Sequence, residues 1–461
     1  MIKPLATWFF CNMLALAAYS NVMLPSVFGD QMILQQNTDI LIWGWAKPLE
    51  PVQITTDWSK DTLKTLGDSY CNWQLKLRTP KADNVPHTIR IQGYNSLQIT
   101  NVLLGEVWLC SGQSNMEWSA RMGIDNAEKA ISDAQNPNIR FFTVRHRTAD
   151  TPQLDVAGSG WVACTPESMV DFSALAYFFA RDLNVKLNVP IGIVHSSWGG
   201  TPAEVWVNSN YLQNDTFLLK AAQKLQPMKW GPHEPGKAYR AMIEPLKKFK
   251  IAGTLWYQGE SNVGTSYAYE KLLRTLVRNW RDDWGYDFPF VYAQIAPWKG
   301  YGPNELGAVL RNAQRKAISM PNAGMVVTSD IGDLDNIHPG NKETVGARMA
   351  NWALKLAYNQ KIDVSGPLYK NMAIEKNKIR LYFDYAENGL LCKGKELTEF
   401  EIAGADGKYE PATATIDGST LVVQSKNVPK PRSVRFGWSN SSQPNLFNQE
   451  GLPASCFRTK D

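Results

Sequence analysis

The chain of 461 residues is too long for one ordinary hydrophobic core, so we expect two or three domains. Hydrophobic residues make up 44% and charged residues 20% of the sequence, which is typical of a globular protein and excludes a disordered chain. The formal charge of +5 is small and no block rich in Lys and Arg stands out, which argues against nucleic acid as a partner.

The first 20 residues have the pattern of a signal peptide. Lys3 gives a basic start, "WFFCNMLALAA" is a short apolar stretch, and "AYS" offers small residues for cleavage near Ser20. The apolar stretch is too short to span a bilayer comfortably, and no later segment reaches ~18 apolar residues. We expect a periplasmic or secreted protein with no membrane contact beyond this segment; an uncleaved anchor is the alternative.

Residues 21–103 carry short runs in which apolar and polar residues alternate, separated by Pro, Gly and Asn. This pattern predicts an N-terminal domain made only of β-strands. The predicted strands are "DILIWGWA", "VQITTDW", "WQLKLRT" and "HTIRIQGY".

Residues 104–360 alternate apolar runs with amphipathic helical stretches, which predicts an α/β domain with a doubly wound parallel sheet. Ligands of such sheets bind at the carboxyl ends of the strands. Cys110, inside the first strand, is interpreted as a small buried hydrophobe. The predicted strands are "EVWLCSG", "IRFFTVR", "IGIVHSSW", "AGTLWYQG", "FPFVYAQIA" and "AGMVVTSDI". The predicted helices are "FSALAYFFARDLNVKL", "AYRAMIEPLKKF", "YEKLLRTLVRNWRDDW", "LGAVLRNAQRKAI" and "KETVGARMANWALKLAY", the last capped by Asn341.

Residues 361–461 return to short strands with Gly and Pro turns, which predicts a second, C-terminal β region. Its predicted strands are "KIRLYFDY", "TEFEIAG", "TLVVQS" and "SVRFGWS".

Four predicted strands of the α/β domain run directly into glycines and polar residues. "EVWLCSG" is followed by Gln-Ser-Asn with Ser114, and "IGIVHSSW" by Gly199 and Gly200. "AGTLWYQG" is followed by Glu-Ser-Asn, and "AGMVVTSDI" by "GDLDNIHP" with His338. If the sheet is parallel, all four ends meet at one edge.

These side chains are the components of acyl transfer. A serine needs a base within hydrogen-bond reach, a histidine can take its proton near neutral pH, and a carboxylate orients the imidazole. Ser114, His338 and Asp335, three residues before that histidine, are the candidates. The alternatives are His195 as the base, although a core histidine is the simpler interpretation, and Asp330 or Asp333 as the orienting acid.

Other catalytic patterns are absent from the sequence. There is no G-x-S-x-G at Ser114, no H-E-x-x-H and no P-loop. "DIGDLDN" lacks the glycine and terminal Glu of an EF-hand loop. We therefore predict no required metal.

Four ordered blocks, "SGQSNMEW", "SSWGGTPAEVW", "LWYQGESN" and "DNIHPGNKETVGARMA", strongly resemble the SGNH-type hydrolases of the sialate O-acetylesterase group. The resemblance covers residues ~21–360, including "LPSVFGDQMILQQ". It implies an SGNH-type doubly wound sheet flanked by β regions, with Ser114, His338 and Asp335 as the catalytic triad.

The resemblance also implies an oxyanion hole and a sugar site. The Ser114 N–H would serve the hole, together with a backbone N–H from Gly199 or Gly200. Gln258 or Asn262 would supply a side-chain amide; the wider superfamily has G-x-N-D where this chain has Q-G-E-S-N. Four tryptophans near strand ends offer faces for a sugar ring, and a role as core or loop anchors is the alternative for each: Trp118, Trp198, Trp256 and Trp298.

The implied activity is hydrolysis of acetyl esters on sugar hydroxyls through an acetyl-serine intermediate, a reaction that needs no cofactor. O-acetylated sialic acid is the favoured substrate, and acetylated xylan or another plant glycan is the alternative. A non-catalytic sugar-binding protein and a lipase or thioesterase on the same fold are the competing classes.

Overall fold

The computed structural model describes residues 21–460; the predicted signal peptide at residues 1–20 lies outside the described residues. Most pairings of the N-terminal region are short and antiparallel, with β2 against β5 and β3 against both β4 and β6, while β1 pairs parallel with β7. Its strands are β1 (Ile33–Gln35), β2 (Asp39–Trp45), β3 (Pro51–Thr56), β4 (Leu63–Leu66), β5 (Asn72–Arg78), β6 (His87–Gln92) and β7 (Ser96–Gly112).

The long strand β7 joins this region to the central sheet. Its first half pairs antiparallel with β6, and its second half pairs parallel with strands of the α/β part. The boundary predicted at residues 103 and 104 therefore falls inside one continuous strand.

The central sheet is mixed, with the order β13-β12-β11-β7-β10-β8-β9. Neighbours from β13 to β8 are parallel, and β9 is an antiparallel edge strand. Its further strands are β8 (Asn136–Val144), β9 (Gly158–Cys164), β10 (Ile191–Ser197), β11 (Gly253–Tyr257), β12 (Phe290–Ala293) and β13 (Ala323–Val326). The helices are α1 (Ser114–Glu117), α2 (Ala127–Ser132), α3 (Pro166–Met169), α4 (Ala174–Leu187), α5 (Ser209–Gln213), α6 (Thr216–Ala222), α7 (Tyr269–Trp284), α8 (Leu306–Ala317) and α9 (Lys342–Tyr358).

Helices cover both faces of this sheet. Because side chains alternate along a strand, Leu109 of β7 joins the cluster that contains Leu276 of α7, whereas Cys110 joins the cluster that contains Met349 of α9. The interpretation of Cys110 as a small buried hydrophobe is confirmed, since it has no exposed surface. The five cysteines among the described residues are free thiols.

One predicted helix is wrong. The segment "AYRAMIEPLKKF" forms a single π-helical turn at Tyr239–Ile243 and a 3₁₀ turn at Glu244–Leu246. Pro245 explains the break, because proline lacks the N–H of a helical hydrogen bond and its ring clashes with the carbonyl four residues earlier. The helix predicted at α9 is confirmed with its cap, as Asn341 Oδ1 accepts a 3.1 Å hydrogen bond from the Thr344 N–H.

The C-terminal region packs its own hydrophobic cluster and touches the central part through α8. Arg311 Nη1 donates to the Asn440 carbonyl at 3.3 Å, and Gln294 Nε2 donates to Ser455 Oγ at 2.9 Å. Its strands are β14 (Leu368–Glu375), β15 (Lys378–Asp384), β16 (Leu390–Cys392), β17 (Phe400–Ala403), β18 (Tyr409–Pro411), β19 (Thr413–Asp417), β20 (Thr420–Gln424), β21 (Ser433–Phe436), β22 (Leu446–Asn448) and β23 (Phe457–Arg458). Within residues 21–460, no helix has the length and apolarity needed to cross a membrane.

Candidate active site

The carboxyl ends of β7, β10 and β11 are joined at one edge of the sheet. The Gln113 N–H donates to the Tyr257 carbonyl at 3.0 Å, and the Trp198 N–H donates to the Gly112 carbonyl at 3.1 Å. Gly112 has φ +140°, and a Cβ there would lie 2.2 Å from the Tyr257 oxygen. Only glycine fits this junction, which places the following residue, Gln113, and then Ser114 at the edge.

Ser114 is the first residue of the one-turn helix α1. The first N–H groups of a helix have no partner within the helix, so the Ser114 N–H remains available as a donor. The serine is half-buried, while Asn115 and Met116 after it are buried. The local fold therefore presents both a hydroxyl and an unpaired N–H at one residue.

His338 reaches Ser114 from the loop between β13 and α9. Its Nε2 lies 2.8 Å from Ser114 Oγ, and its ring stacks on Trp118 with centroids 3.9 Å apart. The His338 N–H is held by Asn336 Oδ1 at 2.9 Å. Burial, helped by the positive charge of Lys342, lowers the pKa of His338 to about 4. At neutral pH the imidazole is therefore the free base, which can accept the serine proton.

Of the three candidate acids, none hydrogen-bonds His338 within residues 21–460. Asp335 is 80% exposed, and its Oδ1 lies 2.8 Å from Lys299 Nζ. Asp330 forms a largely buried pair with Arg348 at 2.6 Å. Asp333 Oδ1 accepts the N–H groups of residues 335 and 336, which shapes the loop. The loop places Asp335 close to His338 along the chain, but its carboxylate faces Lys299.

His195, the rival base, lies in the core rather than at the edge. It is 6% exposed, and its Nε2 makes a 2.6 Å hydrogen bond with Ser197 Oγ. Burial lowers the pKa of His195 to about 4.

Gly199 and Gly200, in the block "SSWGGTPAEVW", differ in the hydrogen bonds that their N–H groups donate. The Gly199 N–H donates to Glu117 Oε2 at 2.6 Å. Glu117 Oε1 lies 2.7 Å from His146 Nε2. Burial raises the pKa of Glu117, but the hydrogen bond and charge of His146, with smaller effects of His195 and the Gly199 N–H, outweigh it and hold the pKa below its ordinary value. The Gly200 N–H, in contrast, donates no hydrogen bond among the described residues.

The candidate amides Gln258 and Asn262 are fully buried and bond to each other. Gln258 Nε2 also donates to Gln113 Oε1 at 3.0 Å and to the Thr201 carbonyl at 3.1 Å. Asn262 Nδ2 donates to Glu204 Oε2 at 2.8 Å. Both amides are thus occupied in a network beneath the edge and do not reach Ser114.

A second buried network ties the serine helix to the histidine loop. Asn115 Nδ2 donates to Glu260 Oε1 at 2.6 Å and to the Ile337 carbonyl at 3.0 Å. Lys342 Nζ donates to Asn115 Oδ1 at 2.6 Å. Burial lowers the pKa of Lys342 to about 7 and raises the pKa of Glu260. The side chain of Asn115 therefore links its own block, "SGQSNMEW", to "LWYQGESN" through Glu260 and to "DNIHPGNKETVGARMA" through Ile337 and Lys342.

The four candidate tryptophans fall into different environments. Trp118 stacks on His338, and Trp198 stacks on His146 with centroids 4.4 Å apart. Trp256 has no exposed surface and packs edge-on against other tryptophans, so it lies in the core, out of reach of a sugar. Trp298 is half-buried and packs edge-on against Tyr301.

Sequence reasoning missed Glu117, His146 and Lys342. His146 and Glu117 lie far apart in the sequence but pair with each other in the folded chain. The spacing offers a signal for Glu117, because it follows Ser114 by three residues and lies on the same side of a helical turn. Lys342 could not be found this way, since only the folded chain brings a lysine into the core.

Comparisons with known proteins agree on one class. A family model described as "Carbohydrate esterase, sialic acid-specific acetylesterase" matches residues 104–355. The chain is 27% identical to the sialate O-acetylesterase of Homo sapiens, over 94% of this chain and 91% of that protein. It is 29% identical to the sialate O-acetylesterase of Mus musculus, over 90% and 89%. The crystal structure of a carbohydrate acetylesterase from Xanthomonas citri superposes with a TM-score of 0.88 at 34% identity, covering 95% of this chain and 99% of that one.

Proposed function

This chain belongs to the sialic acid-specific acetylesterase family of carbohydrate esterases and is a serine ester hydrolase, and from this premise we propose that it removes acetyl groups from sugar hydroxyls. O-acetylated sialic acid is the favoured substrate, and acetylated xylan or another plant glycan is the alternative. The observation that supports the proposal most directly is the 2.8 Å contact between His338 Nε2 and Ser114 Oγ.

We propose the following chemistry. Ser114 Oγ attacks the acetyl carbonyl carbon while His338 Nε2 takes the hydroxyl proton. The tetrahedral intermediate collapses as His338 returns that proton to the departing sugar oxygen, which leaves an acetyl ester on Ser114. Water then attacks this ester with His338 as base, and acetate leaves with the serine restored.

The N–H groups of Ser114 and Gly200 are the proposed donors to the oxyanion, because neither has a partner among the described residues. Each such donor typically contributes ~10²–10³ in rate. The Gly199 N–H is engaged by Glu117, and we assign it to fixing the turn. Gln258 and Asn262 support the site from below by holding Gln113 and the adjacent loops.

Asp335 is the proposed orienting acid. Its exposed pair with Lys299 contributes little to stability, since such pairs are worth ~0–1 kcal/mol. Turning the carboxylate away from Lys299 towards His338 therefore costs little free energy when the imidazole becomes positively charged during the reaction.

Replacing Asp335 with asparagine is expected to lower kcat for p-nitrophenyl acetate by ~10²–10⁴, because the imidazolium loses its carboxylate. Lys299→Ala is the matched control: it breaks the same ion pair but keeps the carboxylate, so its kcat should stay close to that of the wild type. Steady-state kinetics of the two variants check this. Equal activity of Asp335→Asn and the wild type would mean that Ser114 and His338 work without this acid.

Three further features belong to the proposal. We assign the central part to the doubly wound SGNH type, because helices cover both faces of a largely parallel sheet. We propose three functional parts of the chain: the N-terminal β domain at residues 21–103, the hydrolase domain at 104–360 and the C-terminal β region at 361–461. The signal-peptide pattern of residues 1–20 supports export to the periplasm or the medium.

The test of function is release of acetate from defined esters. We expect the enzyme to deacetylate O-acetylated sialic acid faster than acetylated xylan, and to hydrolyse p-nitrophenyl acetate at least about tenfold faster than p-nitrophenyl octanoate, as a small acyl site requires. A preference for octanoate without activity on either sugar would indicate a lipase or thioesterase. Binding of the sugars without hydrolysis of any ester would indicate a sugar-binding protein.

A further inference from the structure

Trp230 is an exposed indole placed against the catalytic edge. It is 67% exposed, and no other tryptophan within residues 21–460 has most of its surface open. A Cβ at Gly200 would lie 2.2 Å from Trp230 Nε1, and Gly200 has φ +75°. Glycine in the turn after β10 therefore serves two purposes: it adopts the positive φ, and it leaves room for the indole.

Trp198 anchors the segment that carries Trp230. Its Nε1 donates to the Trp230 carbonyl at 2.8 Å, and its ring lies parallel to the His146 imidazole, with 3° between the planes. His146 in turn contacts Glu117 of the serine helix. Trp230 is therefore held in place through the same residues that surround the candidate oxyanion site.

A cavity of about 470 Å³ lies at these two tryptophans. Besides Trp198 and Trp230, its lining includes the polar residues Lys229, His233 and Glu234. The Trp230 indole N–H donates no hydrogen bond to any described residue. Aromatic faces with polar groups around them suit a sugar ring, which has an apolar face and hydroxyls along its edge.

The Trp230 indole lies close to the nucleophile. A Cβ at Gly199 would lie 3.4 Å from Ser114 Cβ, and a Cβ at the next residue, Gly200, would lie 2.2 Å from Trp230 Nε1. Since consecutive Cα atoms are ~3.8 Å apart, a sugar whose acetyl group is at Ser114 would place its linked neighbour at Trp230.

We propose that Trp230 and Trp198 form a subsite for the neighbouring sugar of an acetylated oligosaccharide, so that the substrate is a glycan chain rather than a free monosaccharide. This inference rests on the proposed function. It assigns roles to Trp230 and to the cavity beside it that the acetylesterase chemistry does not itself require.

The test compares chain and monosaccharide substrates. For Trp230→Ala, the KM for O-acetylated xylotetraose or O-acetylated sialyllactose, whichever the wild type hydrolyses, should rise about tenfold relative to the KM for the matching acetylated monosaccharide. Trp230→Phe, which keeps an aromatic face, should recover most of the loss. Tyr70→Ala removes an aromatic side chain that is 83% exposed in the N-terminal region, and should leave both KM values unchanged.

A binding measurement separates this inference from the catalytic one. In the Ser114→Ala background, titration calorimetry with the same acetylated oligosaccharide should show about tenfold weaker binding when Trp230→Ala is added. Equal affinity with and without Trp230, in an enzyme that does deacetylate sugars, would overturn the subsite and leave the proposed function standing. A wild type that hydrolyses p-nitrophenyl acetate but no acetylated sugar would overturn both.

Discussion

Ser114→Ala is expected to abolish turnover of acetyl esters, with kcat for p-nitrophenyl acetate falling by at least ~10³-fold and the remaining rate approaching background. The alanine has no atom that can form the acetyl ester, while the His338 imidazole and the backbone donors stay in place. Steady-state kinetics measure the loss. Labelling with a fluorophosphonate, read by mass spectrometry, should modify the wild type and not the variant.

Ser111→Ala is the matched control for that experiment. Ser111 lies three residues earlier in β7, is fully buried, and its Oγ has no hydrogen-bond partner. Because removing an unsatisfied buried hydroxyl costs little or stabilises, this variant should keep full activity and an equal or higher melting temperature. Ser114→Ala should also unfold close to the wild type, since its hydroxyl contributes one hydrogen bond worth about 1 kcal/mol. Full activity in Ser114→Ala would refute the assignment of the nucleophile.

The ends of β7, β10 and β11 could be predicted from sequence because two local signals coincide there, whereas β13 ends at Val326, five residues before the end of the predicted strand. Apolar runs mark buried parallel strands, and glycine followed by polar residues marks where each one ends. Helices α7 and α9 could be predicted for a similar reason, since their apolar residues recur at helical spacing over four turns or more. The continuity of β7 across two regions has no such signal, because the change in texture near residue 104 resembles a boundary.

The arrangement around the nucleophile was less predictable. The pairing of Ser114 with His338 follows from parallel topology, which brings distant loops to one edge. The Asp335 carboxylate turns towards the charged Lys299 rather than towards the neutral His338 imidazole, and spacing along the chain cannot decide between these two neighbours. Trp256 stands at a strand end in the sequence, yet the inward direction of its side chain makes it a core residue.

His338→Ala is expected to be about as damaging as Ser114→Ala, with kcat for p-nitrophenyl acetate lowered by at least ~10³-fold, because nothing else takes the serine proton. His195→Asn keeps a hydrogen-bonding group next to Ser197 and should retain activity close to that of the wild type. Melting temperatures of both variants show whether the fold is intact. Loss of activity in His195→Asn with full activity in His338→Ala would show that His195, in β10, is the base.

The pH dependence of kcat/KM for the wild type tests the assignment of His338 as the base independently. Burial lowers the pKa of His338 to about 4, so kcat/KM should rise with a midpoint near pH 4 and stay level through pH 6, where an ordinary histidine at ~6.5 would still be mostly protonated. A midpoint near 6.5 would contradict this.

The stability of the protein should also depend on pH. Because the pKa values of His338 and His195 are lowered on folding, the unfolded state binds more protons between pH 6.5 and 4, and stability falls as the pH falls through that window. Unfolding followed at each pH therefore separates loss of the base from loss of the fold, and the His195→Asn variant should keep the activity midpoint near 4 while its stability declines less in acid.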